Sequence, residues 1–533
     1  MLPSFEHGLI GNFSSATVIN PQGIIQWCCL PHLDSSSHFN TLIHPSKGGW
    51  FQISPLGPFR SQQKYLARTP ILETHFETPT GTAILTDWMP AFDADIQESR
   101  LCRNLKVIQG KVQFIMVCSP RFQDGEESAS VEVHTPGFLF RGKKREDVAH
   151  LHISSAIPIE LKETSLSSTF EMSASQETEF LWSWGRIFKL SFPSIRKTQE
   201  FWNSIVHQCS TPCLWGGPWH EPLIRSQLLF KILSSQNFGT LSWGVIISES
   251  HRTTLHGGAW ILQSLFFLDL KQEANNYFNW IRKTLLRDRA EGLQASYSLD
   301  GSKNLSDISS YRQTHQRPLT TGFQLDIYAQ GILTAYQYYQ IFKTLPLDLW
   351  PVLTELADYL CQAWKRPDFG TLGFTHRNAL LRSPARPEHF VSSKVFCWAA
   401  LDRILILSRL LNQRPPQRWS TERDIIHRTI CEQGYDSNTN SFTRAFGDRE
   451  MDSSCLWLLP LGFLPKDDFR IQGTFDRVNR ELSRGVCLRP STMIEELYQS
   501  NEDDLCGSFL YCTNLALADR VQEASDRIAE LCT

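Results

Sequence analysis

Short runs that alternate between apolar and polar residues occupy the first part of the chain. Stretches such as ILETHFET, GTAILTDWM and KVQFIMVC are separated by clusters of Gly, Pro, Ser and Asp. Period-two alternation bounded by turn residues is typical of antiparallel strands that bury one face. We therefore predict an antiparallel β-sandwich domain over residues 1–195.

After about residue 195 the apolar positions follow the period of a helix. EPLIRSQLLFKILSS and LDIYAQGILTAYQYYQIFKTL carry apolar residues at i, i+3 and i+4, and similar segments continue to the C-terminus. The segment SFPSIRKTQEFWNS marks the change, so we predict a linker at 196–219. The number of helices and their long joining loops favour helix pairs closed into an α/α barrel over 220–533.

Composition narrows the range of partners. The net charge of −3, from 52 basic and 55 acidic residues, gives no field that would attract nucleic acid or an anionic membrane. The expected partner is a small molecule, and the oligomeric state stays open. The N-terminus has no signal-peptide pattern, which predicts a cytoplasmic protein. The 14 cysteines are scattered and predict free thiols rather than a zinc site, so we expect no metal and no cofactor.

Ordered motifs along the chain resemble one family of enzymes. GLIGNFSSATVINPQGIIQWCCLPHLDSSS opens the chain, and QEANNYFNWI, QLDIYAQG, HFVSSKVFCWAALDR and GSFLYCTNLAL follow in order. These segments resemble those of glycoside hydrolase family 15, the glucoamylases and trehalase-like proteins. The resemblance implies an N-terminal β-sandwich and an α/α six-hairpin barrel. Fold alone does not fix the chemistry, so the site residues have to be considered one by one.

The resemblance also locates the two catalytic carboxyl groups of the family, and this chain departs from the pattern at both. Inverting hydrolysis needs one acid to protonate the leaving oxygen and one base to activate water. The acid position falls on Gly373 or Arg382, depending on the direction of alignment. Leu505 and Cys506 stand where the base is expected. The sequence therefore predicts no strong hydrolysis of maltose, trehalose or dextrins.

A third departure concerns sugar recognition. The Arg-Asp pair with which the family grips glucose hydroxyls aligns with His256 and Gly257. Losing such partners leaves polar groups of a sugar site unpaired. We interpret the three replacements together as making the pocket less polar.

The remaining groups that the alignment places near the barrel mouth are the candidate site residues. Histidine titrates near neutral pH and can act as a general acid, and displaced carboxylates can take the place of the missing base. The predicted catalytic residues are His256, His251, Asp503, Glu502 and Glu496. The predicted substrate-binding residues are Trp260, Arg252, Asp326 and Tyr328. For Asp326 a helix-capping role and for Trp260 core packing are the alternatives.

Three functions are consistent with this pattern. The first is an isomerase or cyclase of secondary metabolism, which opens an oxygen function of a mostly apolar molecule in a water-free pocket. The second is an α-glucoside hydrolase of the trehalase or glucoamylase type with relocated carboxylates. The third is a non-catalytic binding protein. The loss of polar groups favours the first.

Overall fold

The computed structural model describes residues 7–91, 100–135, 137–144, 147–185, 192–207, 216–235, 238–242, 252–303, 323–371, 386–492 and 503–532. The chain divides into two compact units. One contains residues 1–253, 268–273 and 298–302, and the other contains 254–267, 274–297 and 303–533. The first is rich in strands and the second in helices, which confirms the predicted change of secondary structure. The predicted boundaries near 195 and 220 stay predictions.

The first unit is built on a 15-stranded antiparallel sheet. Burial alternates along its strands, as in Gly81–Trp88 and Leu166–Ser173, because successive side chains point to opposite faces. The strands of the unit, with two short strands β10 and β11 that pair separately, are β1 Gly8–Asn12, β2 Ser15–Ile19, β3 Ile24–Cys29, β4 Ser37–Phe39, β5 Trp50–Pro55, β6 Arg60–Tyr65, β7 Leu72–Thr78, β8 Gly81–Trp88, β9 Arg100–Ser119, β10 Arg121–Phe122, β11 Glu127–Ser128, β12 Ser130–His134, β13 Gly137–Arg141, β14 Val148–Ile153, β15 Glu160–Leu161, β16 Leu166–Ser173 and β17 Glu177–Trp184.

The long strand β9 joins two sets of neighbours. Its first half pairs with β8 and β17, and its second half pairs with β5 and β16. Gly110 lies at the change, with φ +72, and a Cβ built on it would come within 2.1 Å of the Thr80 carbonyl oxygen. Only glycine fits this conformation and this contact. Around β9 lies a core of Ile, Leu, Val, Phe and Trp182 side chains, most of them fully buried.

Two α-helices lie in the described part of the sheet-rich unit. Helix α1, Ile195–Ile205, lies in the segment predicted as a linker, and Ser194 caps it by accepting a hydrogen bond from the backbone of Lys197. Helix α2, His220–Leu233, buries Ile224, Leu228 and Ile232 in a second core that also contains Trp27 and Trp202.

The second unit is predominantly helical. Its helices are α3 Gly258–Phe267, α4 Lys271–Gly292, α5 Asp326–Phe342, α6 Leu349–Ala363, α7 Val391–Leu410, α8 Gln417–Gln433, α9 Phe469–Leu482, α10 Leu505–Leu517 and α11 Val521–Leu531. The short strand β18, Arg252–Thr254, precedes α3. Further short strands lie between the helices, at β19 Ser296–Ser298, β20 Tyr435–Asp436, β21 Ser441–Phe442, β22 Ser483–Arg484 and β23 Cys487–Leu488. Helix α5 packs against α3 and α7, and α7 also packs against α8.

Burial separates these helices into two kinds. Helix α7 is buried on all sides over most of its length, and α5 is buried continuously from Asp326 to Ala335. Helix α8 instead buries one stripe of Trp419, Ile426 and Ile430. A helix that is apolar all round lies inside its unit, and a helix with one apolar stripe lies at the surface.

Candidate active site

His256 lies in a sharp turn between strand β18 and helix α3. Gly257 follows it with φ +68, a backbone conformation that favours glycine and allows the chain to turn into the helix. The backbone N–H of His256 donates to the Thr254 hydroxyl at 3.0 Å, and that hydroxyl donates to the Ala295 carbonyl at 2.7 Å. These two hydrogen bonds through the Thr254 hydroxyl hold the backbone of the turn in place.

The imidazole of His256 bridges two polar side chains from the beginning of helix α5. Its Nδ1 lies 2.6 Å from Asp326 Oδ2, and its Nε2 lies 3.1 Å from Gln324 Oε1. Gln324 Nε2 in turn donates to the Gly370 carbonyl at 3.3 Å. Burial opposes the charged ring, but the Asp326 carboxylate and the two hydrogen bonds outweigh it and raise the pKa of His256. We call His256, Asp326 and Gln324 the histidine cluster.

A second buried carboxyl group lies next to the histidine cluster. Asp368 is fully buried, and its Oδ2 accepts a hydrogen bond from the Leu325 backbone at 3.1 Å. Burial raises the pKa of Asp368 to about 6, against the opposing effect of the Lys394 charge, and the charge of Asp326 adds to the rise. Lys394 is itself buried and donates to the Arg366 carbonyl at 2.6 Å.

Near the C-terminus the two neighbouring acids Asp503 and Asp504 differ in their contacts. Asp504 caps helix α10: its Oδ1 accepts from the Gly507 backbone at 2.8 Å, and its Oδ2 accepts from the Ser453 hydroxyl at 2.5 Å. Asp503 is half-buried, and its Oδ1 is a buried atom without a hydrogen-bond partner among the residues that the structure describes. Asp504 thus has a structural role, whereas Asp503 has an oxygen available.

A third carboxyl group lies beside Asp504. Asp452 is fully buried, and its Oδ1 accepts from the backbone and the hydroxyl of Ser454 at 3.1 and 2.5 Å. Burial raises the pKa of Asp452 to about 6, and the charge of Asp504 contributes to the rise. Three acids are therefore related in this part of the helical unit. Asp503 and Asp504 are adjacent in the sequence, and Asp452 interacts electrostatically with Asp504.

Two aromatic residues lie on helices α3 and α5, close in sequence to His256 and Asp326. Trp260, half-buried near the beginning of α3, packs against Trp457 with 5.1 Å between ring centroids, and Trp457 also contacts Phe396. Tyr328 lies in the first turn of α5, with 4.6 Å between the centroids of its ring and the ring of Tyr359. Burial raises the pKa of the Tyr328 hydroxyl, so it stays protonated.

The predicted site residues fall into three groups. The structure brings His256 and Asp326 into direct contact. It places Trp260 on α3, the helix that follows His256, and Tyr328 on α5, the helix that begins at Asp326. Asp503 lies instead beside Cys487, whose pKa is raised by burial and by the charge of Asp503. His251, Glu496 and Glu502 lie outside the described residues, as do Gly373 and Arg382, and only the backbone of Arg252 is described.

Sequence reasoning missed three polar residues of the site. Gln324 lies two positions before Asp326, and that spacing was its only sequence signal. Asp368 and Asp452 carried no signal, because burial and the charges of distant residues determine their protonation.

In the described part of the chain, no group of three or more His, Cys, Asp or Glu side chains is arranged to hold a metal ion. Within the same residues, no helix combines the length and the apolar character needed to cross a membrane.

Two protein families match the two parts of the sequence. Residues 3–162 match the family described as "Trehalase-like, N-terminal", and residues 259–523 match "Glycosyl hydrolases family 15". Both parts of the chain thus resemble the family 15 glycoside hydrolases, which confirms the resemblance that the ordered motifs predict.

Individual relatives extend the similarity over almost the whole chain. The trehalase of Thermoplasma volcanium is 24% identical and is aligned over 98% of this chain and 85% of its own length. The trehalase of Mycobacterium tuberculosis is 26% identical over 96% of this chain and 80% of its own length. Among solved structures, a bacterial glucoamylase complexed with acarbose superposes with a TM-score of 0.64 at 12% identity, covering 89% of this chain and 78% of that one.

These matches overturn the favoured prediction from the sequence. The prediction of an isomerase or cyclase of secondary metabolism is wrong, because proteins named trehalases align with nearly the whole of this chain and a glucoamylase superposes on most of it. The error has a physical source. The replacement of Arg-Asp by His256 and Gly257 indicates a less polar pocket when the sequence is considered alone. In the structure, the His256 ring contacts the Asp326 carboxylate and the Gln324 amide, which lie 70 and 68 positions further along the chain.

Proposed function

We propose that this protein is a glycoside hydrolase that acts on an α-glucoside, of the trehalase or glucoamylase type, with relocated catalytic carboxylates. The observation that carries the proposal is the similarity to proteins named trehalases over 91–98% of this chain for four of them. The substrate is a small sugar or sugar conjugate. A net charge of −3 is compatible with such a neutral ligand.

The proposed architecture is an α/α six-hairpin barrel preceded by a β-sandwich. Helices α5 and α7, buried on all sides, correspond to an inner ring, and α8, with one buried stripe, corresponds to an outer ring. The change of strand partners along β9 at Gly110 is typical of a strand that passes from one sheet of a sandwich to the other.

Asp503 is the proposed relocated base. An inverting hydrolase needs a carboxylate that is free to accept a proton from water. Both oxygens of Asp504 accept hydrogen bonds, one from the Gly507 backbone and one from the Ser453 hydroxyl, whereas Asp503 Oδ1 has no partner in the described residues. Asp503 also lies only three positions before Cys506, which occupies the base position of the family pattern.

The histidine cluster and the Trp260 ring are the proposed sugar contacts. Charged groups hold sugar hydroxyls through strong hydrogen bonds, and aromatic faces pack against the C–H groups of sugar rings. His256 lies in the turn before α3, Trp260 lies on α3 and Asp326 begins α5, and α3 packs against α5. This arrangement supports a polar glucose-binding subsite.

The test is turnover of a panel of α-glucosides, from trehalose and maltose to larger glucose conjugates, by wild type and the Asp503→Asn variant. Loss of a general base lowers turnover by at least about a hundredfold. Asp526→Asn, which removes an exposed carboxylate of α11, is the matched control and keeps wild-type turnover. Equal turnover by Asp503→Asn and wild type would reject Asp503, and binding without any turnover would favour the non-catalytic binding protein.

A further inference from the structure

Both ring nitrogens of His256 face oxygen atoms that accept hydrogen bonds. At Nδ1 the partner is a carboxylate oxygen of Asp326, which in its ionised form has no proton to donate. At Nε2 the partner is the carbonyl oxygen of the Gln324 amide, and the orientation of that amide is set because its NH₂ group donates to the Gly370 carbonyl. A neutral imidazole carries one N–H and leaves one of these contacts without a proton. Only the doubly protonated ring satisfies both.

We propose that His256 is a buried imidazolium that positions Asp326 for a hydroxyl group of the sugar substrate. The part of the inference that concerns the sugar rests on the proposed function, and the part that concerns the charge does not. His256 is 7% exposed and Asp326 is fully buried, so water does not replace the contacts that the ring makes. His256 is thus a positioning residue, and this assignment replaces its predicted role as proton donor.

The second oxygen of Asp326 is the atom that this arrangement leaves available. Asp326 Oδ2 is engaged by His256, whereas Oδ1 is buried and has no hydrogen-bond partner in the described part of the chain. A buried carboxylate oxygen without a donor is costly. A hydroxyl is a donor of the right size, and a sugar presents several of them. The hydroxyl of an α-glucoside is therefore the ligand group assigned to Oδ1.

The surroundings determine how the charge of His256 depends on pH. Asp326 faces the ring from α5, and Asp368 interacts electrostatically with both Asp326 and Lys394. From α4, Tyr277 contributes a hydroxyl that donates to the Thr254 carbonyl at 3.2 Å, and burial keeps it protonated. The nearest charge is thus the Asp326 carboxylate, which favours the protonated ring. Loss of the ring proton on the alkaline side would release Asp326.

The charge of His256 can be measured directly by NMR of ¹⁵N-histidine-labelled protein, with His256→Gln used to assign the signal. We expect both ring nitrogens to carry protons at about pH 7, and the ring to lose one only above its ordinary pKa. His38 is the matched control in the same spectra. It is also buried, but burial lowers its pKa to about 3, and its Nδ1 accepts from Trp182 Nε1, so it stays neutral. A neutral His256 at about pH 6 would overturn the inference.

The positioning role has a kinetic test that a purely structural residue would not pass. His256→Gln should raise KM at pH values below the pKa of the wild-type ring, where Asp326 loses its orienting cation, and the difference from wild type should shrink above that pKa. His256→Arg keeps a permanent positive charge and should extend turnover to higher pH than wild type. An unchanged alkaline limb in His256→Arg, with the variant folded, would contradict the role. Since the NMR result needs no substrate, failure of hydrolysis and failure of the charge assignment are separate outcomes.

Discussion

In the described residues, each unit of the protein contains a buried ion pair with a different degree of hydrogen-bond satisfaction: Arg103 with Asp87 in one, and His256 with Asp326 in the other. In the sheet-rich unit, Arg103 binds both oxygens of Asp87 and also donates to the carbonyls of Phe51 and Gly23. In the helical unit, His256 binds one oxygen of Asp326 and leaves the other without a partner in the described residues. The first pair has a permanent cation, and the second has a titratable one.

The difference distinguishes a structural pair from a functional one. Buried charges are tolerated when every hydrogen-bonding atom has a partner, as for Arg103 and Asp87. A site that binds a ligand has to keep an atom free for it, and this free atom reduces stability in the absence of the ligand. Asp326 Oδ1 and Asp503 Oδ1 have no hydrogen-bond partner among the described residues, and they are the atoms that we propose for substrate binding and for catalysis.

The largest expected effect is on the structural pair. Arg103→Met should lower the free energy of unfolding by about 4 kcal/mol, because Asp87 keeps its buried charge without a partner. Thermal and urea unfolding of the variant and of wild type measure the difference. A loss below about 1 kcal/mol would show that the pair is not the rigid structural element described here.

The pair of His256 and Asp326 should show a smaller and pH-dependent effect. Because the pKa of His256 is raised in the folded protein, the stability that the pair contributes is fully present below the pKa of the unfolded ring. It is lost as the pH rises through the folded pKa. His256→Gln should therefore lower the free energy of unfolding by about 3 kcal/mol at acidic pH and by less at alkaline pH. A difference that is constant with pH would contradict a charged His256.

The cap of helix α10 extends the comparison to a carboxylate satisfied without a cation. Asp504→Ala removes the bonds to the Gly507 backbone and to Ser453, and should cost about 1–2 kcal/mol in unfolding free energy. Asp504→Asn keeps a capping oxygen and should recover most of this loss. If the Asn variant is as unstable as the Ala variant, the negative charge of Asp504 and not its capping geometry is what matters.

The smallest effect is expected at an exposed ion pair. Arg141 and Glu132 lie on neighbouring strands with 3.2 Å between Nε and Oε1, and both side chains are more than half exposed. Arg141→Ala should change the unfolding free energy by less than about 0.5 kcal/mol, since water and salt screen such pairs. This variant is the control for Arg103→Met within the same sheet. An effect as large as that of Arg103→Met would mean that burial is not the cause of the difference.

The sequence predicted the fold better than the site. Alternation along segments such as GTAILTDWM and the helical period of LDIYAQGILTAYQYY are local, and each appears in the structure as a strand or a helix. The motifs in order also identified the family. The predicted function was wrong because the polarity of a site depends on contacts between residues that are far apart in the sequence. No local sequence pattern links His256 to Gln324. Nor does any local pattern indicate that Asp503, and not Asp504, has an oxygen without a hydrogen-bond partner in the described residues.

Hydrolysis of an α-glucoside by this protein is tested most directly by following the sugar that wild type releases with ¹H NMR. We expect the glucose unit attacked by water to appear first as the β-anomer, because water attacks the face opposite the leaving group. We also expect the Asp503→Asn variant to release no glucose on the same time scale. Absence of glucose release from every α-glucoside offered to the folded wild-type protein would contradict the account.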